Sequence, residues 1–191
     1  LIPKADGGRR PIGLLPALVR VWERLRKPVV ADWRCTVERS YNWAAKGRSP
    51  QAAVWRQSLR AEAAVGRGQE SAAVCVDLVK AFEMVRLELV WKAGLRLHFP
   101  LRVLRLVLEA FAFARLLALG GALAEAIHTL SAILAGGCFA TDALYIVLLE
   151  PCDEVLIEHP QASLCLFVDD LTIDVLGSAA VVASVLPAAF K

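Results

Sequence analysis

Leu164–Leu176, LCLFVDDLTIDVL, sets two adjacent acids, Asp169 and Asp170, in the middle of an otherwise apolar run. The flanking residues are apolar and partly β-branched, so they read as two short strands joined at the acids. Burying one unpaired carboxylate costs several kcal/mol or keeps it protonated, and two neighbours also repel each other. A segment that needed only a turn could have used Asn-Gly or Asp-Gly. Two readings follow. The acids are either the exposed tip of a hairpin or a pair of carboxylates held on a rigid sheet to bind a cation.

A second stretch bears on the choice. In VCVDLVKAFEMV, Val74–Val85, an acid again ends an apolar run, Asp77, and an aromatic, Phe82, follows five residues later. Taken alone, Asp77 would be a helix N-cap and Phe82 a core aromatic. Asp77 is far from Asp169 in sequence, but neighbouring strands of one sheet can bring the two together. Facing carboxylates from two strands suit a phosphoryl-transfer site with two Mg²⁺ ions roughly 3.5–4 Å apart. Such hard cations take oxygen ligands and keep some of their water.

The 191 residues make one domain by length, or one domain and part of another. At 57% hydrophobic the chain has ample material for a packed core, and a net charge of +3 is compatible with nucleic acid without requiring it. The five cysteines are odd in number and hold no C-x-x-C pair, so zinc and a disulfide framework are both disfavoured and buried thiols are expected. His98, His128 and His159 are scattered. Nothing at the start resembles a signal peptide, and the longest apolar region, about 116–134, is interrupted by Glu125 and His128. The expectation is therefore an intracellular protein, nuclear or cytoplasmic, without a membrane partner. A start at Leu1 and an end at Lys191 suggest a fragment.

Residues 1 to about 70 hold many of the basic side chains, and Gly7-Gly8 predicts a turn between two extended pieces. Helices are expected over Leu18–Val30, ending near Pro28, over Gln51–Val65, over Met84–Leu97, from Leu101 to about Leu119, and over Ala140–Leu149 with Pro151 behind it. Asp142, Asp153 and Asp174 read as surface charges or caps, and Lys80 as a surface lysine.

Four segments in order resemble the reverse transcriptases. Asp77-Leu-Val-Lys-Ala-Phe82 is similar to their D-x-x-K-A-F motif, and Phe167-Val-Asp169-Asp170 to F/Y-x-D-D. The opening LIPKADGGRRPIGLLP is similar to their fingers segment, and KGRSPQAAV, Lys46–Val54, to the stretch after the fingers helix. Each motif alone is weak; the ordered set is specific, covers nearly the whole chain, and is closest to the non-long-terminal-repeat retroelement and group II intron type. The resemblance implies an α+β right-hand core with a small antiparallel palm sheet packed by helices and no thumb. It implies fingers over 1–70 and a palm over 71–191, with part of 86–130 open to assignment to the fingers.

The resemblance also implies roles. Asp77, Asp169 and Asp170 would be the catalytic metal ligands, with the Leu78 carbonyl as a further one, for two Mg²⁺ ions, Mn²⁺ being the substitute. Phe82 would be the steric gate beneath the incoming sugar, Lys4 and Arg10 would reach the triphosphate, and Gly137 would lie in the nucleotide-contacting loop. RNA template, DNA primer and deoxynucleoside triphosphates would be the partners. One loop departs from the family: where P-Q-G-x-x-x-S is usual, Ala135-Gly136-Gly137-Cys138-Phe139-Ala140-Thr141 stands, so Gly136 replaces the Gln. Alternatives are a viral RNA-templated RNA polymerase, disfavoured by Phe82 and by the residue before the paired acids, a decayed or domesticated nucleic-acid-binding element, and a helical partner-binding module with a chance acidic hairpin.

Overall fold

The computed structural model describes residues 2–3, 9–10, 13–119 and 121–190. The fold is α+β, and its residues divide into two compact units that interleave along the chain: Leu1–Val37 with Lys80–Val147, and Glu38–Val79 with Leu148–Lys191.

The first unit begins with strands β1 (Ile2–Pro3) and β2 (Arg9–Arg10), antiparallel with Ile2 opposite Arg10. The two expected extended pieces thus pair, while Gly7, Gly8 and Lys4 lie outside the described residues. Helix α1 (Ala17–Thr36) does not end at Pro28 as the sequence predicts. Proline there removes one donor, but the buried stripe of Glu23, Val30 and Trp33 runs past it, and the packing carries the helix on. Trp33 stacks at 4.5 Å on Phe99, and its indole N–H donates to the Leu97 carbonyl at 2.8 Å.

The single helix expected over Met84–Leu97 is two, α3 (Ala81–Met84) and α4 (Leu87–Arg96), because Val85 and Arg86 turn extended and Arg86 bridges to Ser131. Helix α5 (Leu101–Phe111) is shorter than expected. Its Val103, Leu104, Val107, Ala110 and Phe111 form a stripe at helical spacing that is fully buried. Arg115 closes the helix, its guanidinium donating to the Phe111 and Ala132 carbonyls at 3.1 Å each. The chain then returns through a small hairpin, β4 (Ala118–Leu119) against β5 (Ala122–Leu123).

Helix α6 (Ala140–Glu158) begins in this unit and continues through Pro151 into the other. Asp142, expected at the surface, is only 2% exposed and accepts from the Arg34 Nε at 2.8 Å, within a salt bridge to the same guanidinium.

The second unit holds helix α2 (Pro50–Gly66) and strands β3 (Glu70–Asp77), β6 (Ala162–Phe167) and β7 (Asp170–Gly177), followed by helix α7 (Ala179–Ala189). Ser49 caps α2, its hydroxyl accepting from the Ala52 N–H at 3.1 Å, with Pro50 in the first turn. The sheet is antiparallel in the order β3–β7–β6, so β7 is central. The outer side of β6 is bridged by Asn42 in parallel with Leu166. On β3 no further described strand pairs.

Alternation sorts the strands into two faces. Val74, Val76, Leu164, Leu166, Leu171, Ile173 and Val175 share the apolar face, with Leu164, Leu166, Ile173 and Val175 each at most 3% exposed. Each such side chain contributes about 1.5–3 kcal/mol through burial. The later half of α6 and the end of α7 line the same apolar cavity of about 250 Å³ beneath this face.

The opposite face is polar. There Asp174, another acid expected at the surface, is buried and accepts from Arg60 of α2 at 2.9 and 3.2 Å. Asp153 of α6 takes hydrogen bonds from Arg39 at 2.9–3.1 Å and from the Tyr41 hydroxyl at 2.7 Å. The surface-charge reading therefore fails for the buried Asp142 and Asp174, while Asp153 stays about a third exposed; each met an arginine that spacing could not reveal. The cysteines are all free, but only Cys152 is buried, while Cys35 and Cys75 are exposed. Among the described residues no helix is long and apolar enough to cross a membrane.

Candidate active site

β3 ends on Asp77 and β7 begins on Asp170, and the register sets these two directly opposite each other. Cross-strand partners in an antiparallel pair project to the same face, with Cβ atoms roughly 4.5–5.5 Å apart. The register therefore brings two carboxylates from distant parts of the chain to one end of the polar face, and both residues are exposed. Phe167 of β6 is the other partner of Asp170, so the row reads Asp77, Asp170, Phe167 across the sheet. Behind it lies a row of Cys75, Thr172 and Cys165.

Asp169 sits between the strands. With Val168 it forms the two-residue connection from β6 to β7. Val168 has φ +61°, in the left-handed region. For a β-branched residue that conformation costs on the order of 1–3 kcal/mol, and Gly or Asn would adopt it at less cost. The turn therefore keeps a strained side chain immediately before its acids.

Like charges directly opposite are destabilising. No hydrogen bond or ion pair from a described residue engages the carboxylates of Asp77, Asp169 or Asp170. Among the described residues, no three His, Cys, Asp or Glu side chains converge as a ready-made cage. The donor set nonetheless suits Mg²⁺, which is usually held by one or two carboxylates, waters and substrate phosphates rather than by an all-protein cage. Leu78 continues from β3, and its half-buried side chain lines the apolar cavity on the other side of the sheet with Val76 and Leu171.

The remaining predicted residues belong to the first unit. Phe82, in α3, is half-buried, and its carbonyl accepts from the Ile133 N–H at 2.7 Å. Its ring lines a mostly apolar cavity of about 660 Å³. Arg10 lies in β2, and Lys4 is outside the described residues.

Gly137 donates to the Leu134 carbonyl at 2.8 Å, forming a turn just before α6. A Cβ at Gly137 would sit 3.1 Å from the Phe111 ring and 3.3 Å from a Glu23 carboxylate oxygen. At Gly136, where the family's Gln would stand, a Cβ would run into the Gly13 carbonyl oxygen. Glycine is thus required by a close backbone approach, which explains the departure noted in the sequence. Gly136→Ala is expected to destabilise the chain by about 1–3 kcal/mol through overpacking, read as a lowered thermal midpoint. An unchanged midpoint would show that the approach is loose.

Sequence reasoning missed Glu23. It is wholly enclosed and accepts from the Cys138 backbone N–H at 3.1 Å. Burial pushes its carboxyl above the ordinary value, against the opposing pull of the Cys138 bond and of Lys27. Its place on the stripe with Val30 and Trp33 was the available signal.

Compared with known proteins, the chain matches no protein-family model and no curated sequence.

Proposed function

We propose that the chain is an RNA-templated DNA polymerase domain of the reverse-transcriptase type, with its active centre at the Asp77–Asp170 end of the sheet. The observation that carries the reading is the register that sets Asp77 opposite Asp170, with Asp169 in the adjoining turn. Two motifs chosen from the sequence for their chemistry thereby share one face. The sheet-bearing part is read as palm, with residues 1–70 as fingers and 71–191 as palm-like.

In this reading Asp77, Asp169 and Asp170 hold Mg²⁺, with the Leu78 carbonyl available beside them. Mg²⁺ held by these residues would supply charge neutralisation for an in-line displacement. The protein's own part is positioning: the hairpin fixes the carboxylates, and the resemblance assigns Lys4 and Arg10 to the triphosphate. The resemblance assigns Phe82 to the sugar of the incoming nucleotide, where an aromatic ring would collide with a 2′-hydroxyl. RNA template, DNA primer and deoxynucleoside triphosphates are the partners.

The test is Mg²⁺-dependent extension of a DNA primer on an RNA template by the chain fused to a reverse-transcriptase thumb. Within it, Phe82→Ala is expected to admit ribonucleotides at least about tenfold more readily, the equivalent of about 1.4 kcal/mol of lost discrimination. Unchanged sugar selectivity would remove the gate from Phe82.

Gly136 favours a second reading, a domesticated nucleic-acid-binding element that no longer polymerises, because the loop has no room for the family's amide side chain. Retained binding of primer–template with no extension by the fusion would select it.

A further inference from the structure

Glu23 is the most enclosed of the buried polar side chains, with 0% exposure. One carboxylate oxygen accepts from the Cys138 N–H at 3.1 Å, and the other has no hydrogen-bond partner among the described residues. An enclosed acid with one oxygen idle is costly, and an apolar side chain of similar volume would fill the space without that cost. What the carboxylate adds is its hold on Cys138, through the backbone N–H and, to a smaller degree, the thiol, within the loop from Ala135 to Phe139.

That loop is held from three sides. Gly136 abuts the Gly13 carbonyl, Gly137 abuts the Phe111 ring, and Glu23 grips Cys138. Lys27, the next charged group along α1 to act on Glu23, is exposed. The two glycines supply close fit, whereas Glu23 supplies the directional contact.

We infer that Glu23 is a positioning residue whose carboxylate fixes the Ala135–Phe139 loop in the shape that receives the incoming nucleotide. The inference rests on the reverse-transcriptase reading, in which this loop stands where the family's nucleotide-contacting motif lies. Gln keeps an acceptor at the same reach, Asp keeps the charge but is one methylene too short, and Met keeps only the volume.

The experiment uses the whole 191-residue chain in its thumb-bearing fusion with an RNA–DNA primer–template presenting adenine, and measures Mg²⁺-dependent retention of dTTP. Amide exchange at Cys138 and the thermal midpoint are recorded alongside. Glu23→Gln should bind dTTP within about threefold of the unsubstituted chain. Glu23→Met and Glu23→Asp should each weaken binding about tenfold or more and speed Cys138 exchange, since a hydrogen bond to a charged acceptor is lost. In Glu23→Met the midpoint should hold or rise, which separates positioning from a merely structural role.

If the unsubstituted chain binds dTTP and the Met and Asp variants bind it equally well, Glu23 does not position the loop and the polymerase reading survives. If the unsubstituted chain retains no dTTP, the polymerase reading fails and takes this role with it. Should Glu23→Met not fold, the contrast between Gln and Asp decides the matter alone.

Discussion

Asp77→Asn in the thumb-bearing fusion should reduce primer extension by a factor on the order of 10³ or more while leaving the fold intact. If Asp77 holds a metal as proposed, several kcal/mol of charge stabilisation depart with it, and each 1.4 kcal/mol or so is a factor of ten. The fold should survive because Asp77 is exposed at the end of β3 and has no partner to abandon among the described residues. Removing one of two opposed like charges should even raise the thermal midpoint slightly, by a few tenths of a kcal/mol. A Mg²⁺ titration of the midpoint provides a check that does not depend on catalysis. If the proposed site holds the ion, binding to the folded chain alone should raise the midpoint of the parent, and the rise should vanish in Asp77→Asn. Undiminished extension by Asp77→Asn would end the two-metal assignment whatever the titration shows.

Arg34→Ala should be the most destabilising single substitution away from that centre. Asp142 is 2% exposed, its Oδ2 has no hydrogen-bond partner among the described residues, and Arg34 is its charged partner. Removing the partner of a buried ion pair strands the remaining charge, typically at a cost of about 3–5 kcal/mol. The sign with pH is fixed by the direction of the shift. Burial already raises the Asp142 carboxyl above its ordinary 3.8, with Arg34 pulling the other way. Without Arg34 the rise is larger. A raised folded-state value means that stability is lost as pH climbs through it and recovered as pH falls toward the ordinary value. The deficit of Arg34→Ala should therefore be greatest at neutral pH and shrink on acidification, as followed by urea unfolding between pH 7 and pH 5. A deficit independent of pH would mean that lost packing, not a stranded charge, is responsible. Glu23, raised by the same cause, should add to the gain on acidification.

How much of this was legible in the sequence differs by residue. The hairpin strands β6 and β7 and the strand ending at Asp77 could be read directly, because apolar runs closed by an acid have few other solutions. Their mutual register could not, since no short-range signal sets Asp77 opposite Asp170. Prolines misled in a consistent way. Pro28 and Pro151 each remove one donor, yet both helices continue because the buried stripe on either side outweighs a single lost hydrogen bond. Asp142 and Asp174 are buried where the sequence reads surface charges, and with Asp153 they share a different cause. Each is paired with an arginine more than a hundred residues away, and distant charge pairing leaves no periodicity to find. Gly136 shows the converse. As a sequence feature it was only a missing Gln, and the Gly13 carbonyl that forbids a side chain there becomes visible only in three dimensions.

The unpaired side of β3 has a consequence for handling the protein. Eight residues, Glu70–Asp77, line that margin with backbone donors and acceptors that no other described strand takes up. Such a margin is a template on which a second molecule can add its own strand, and the interior sequence SAAVCV does nothing to prevent it. Protection comes from the two ends, where Glu70 and Asp77 bring negative charge into any edge-to-edge pairing. The same Asp77 that is proposed to bind a cation is thus also a gatekeeper against self-association. Neutralising it should shift the protein toward concentration-dependent aggregation during refolding, even where the folded monomer has become marginally more stable.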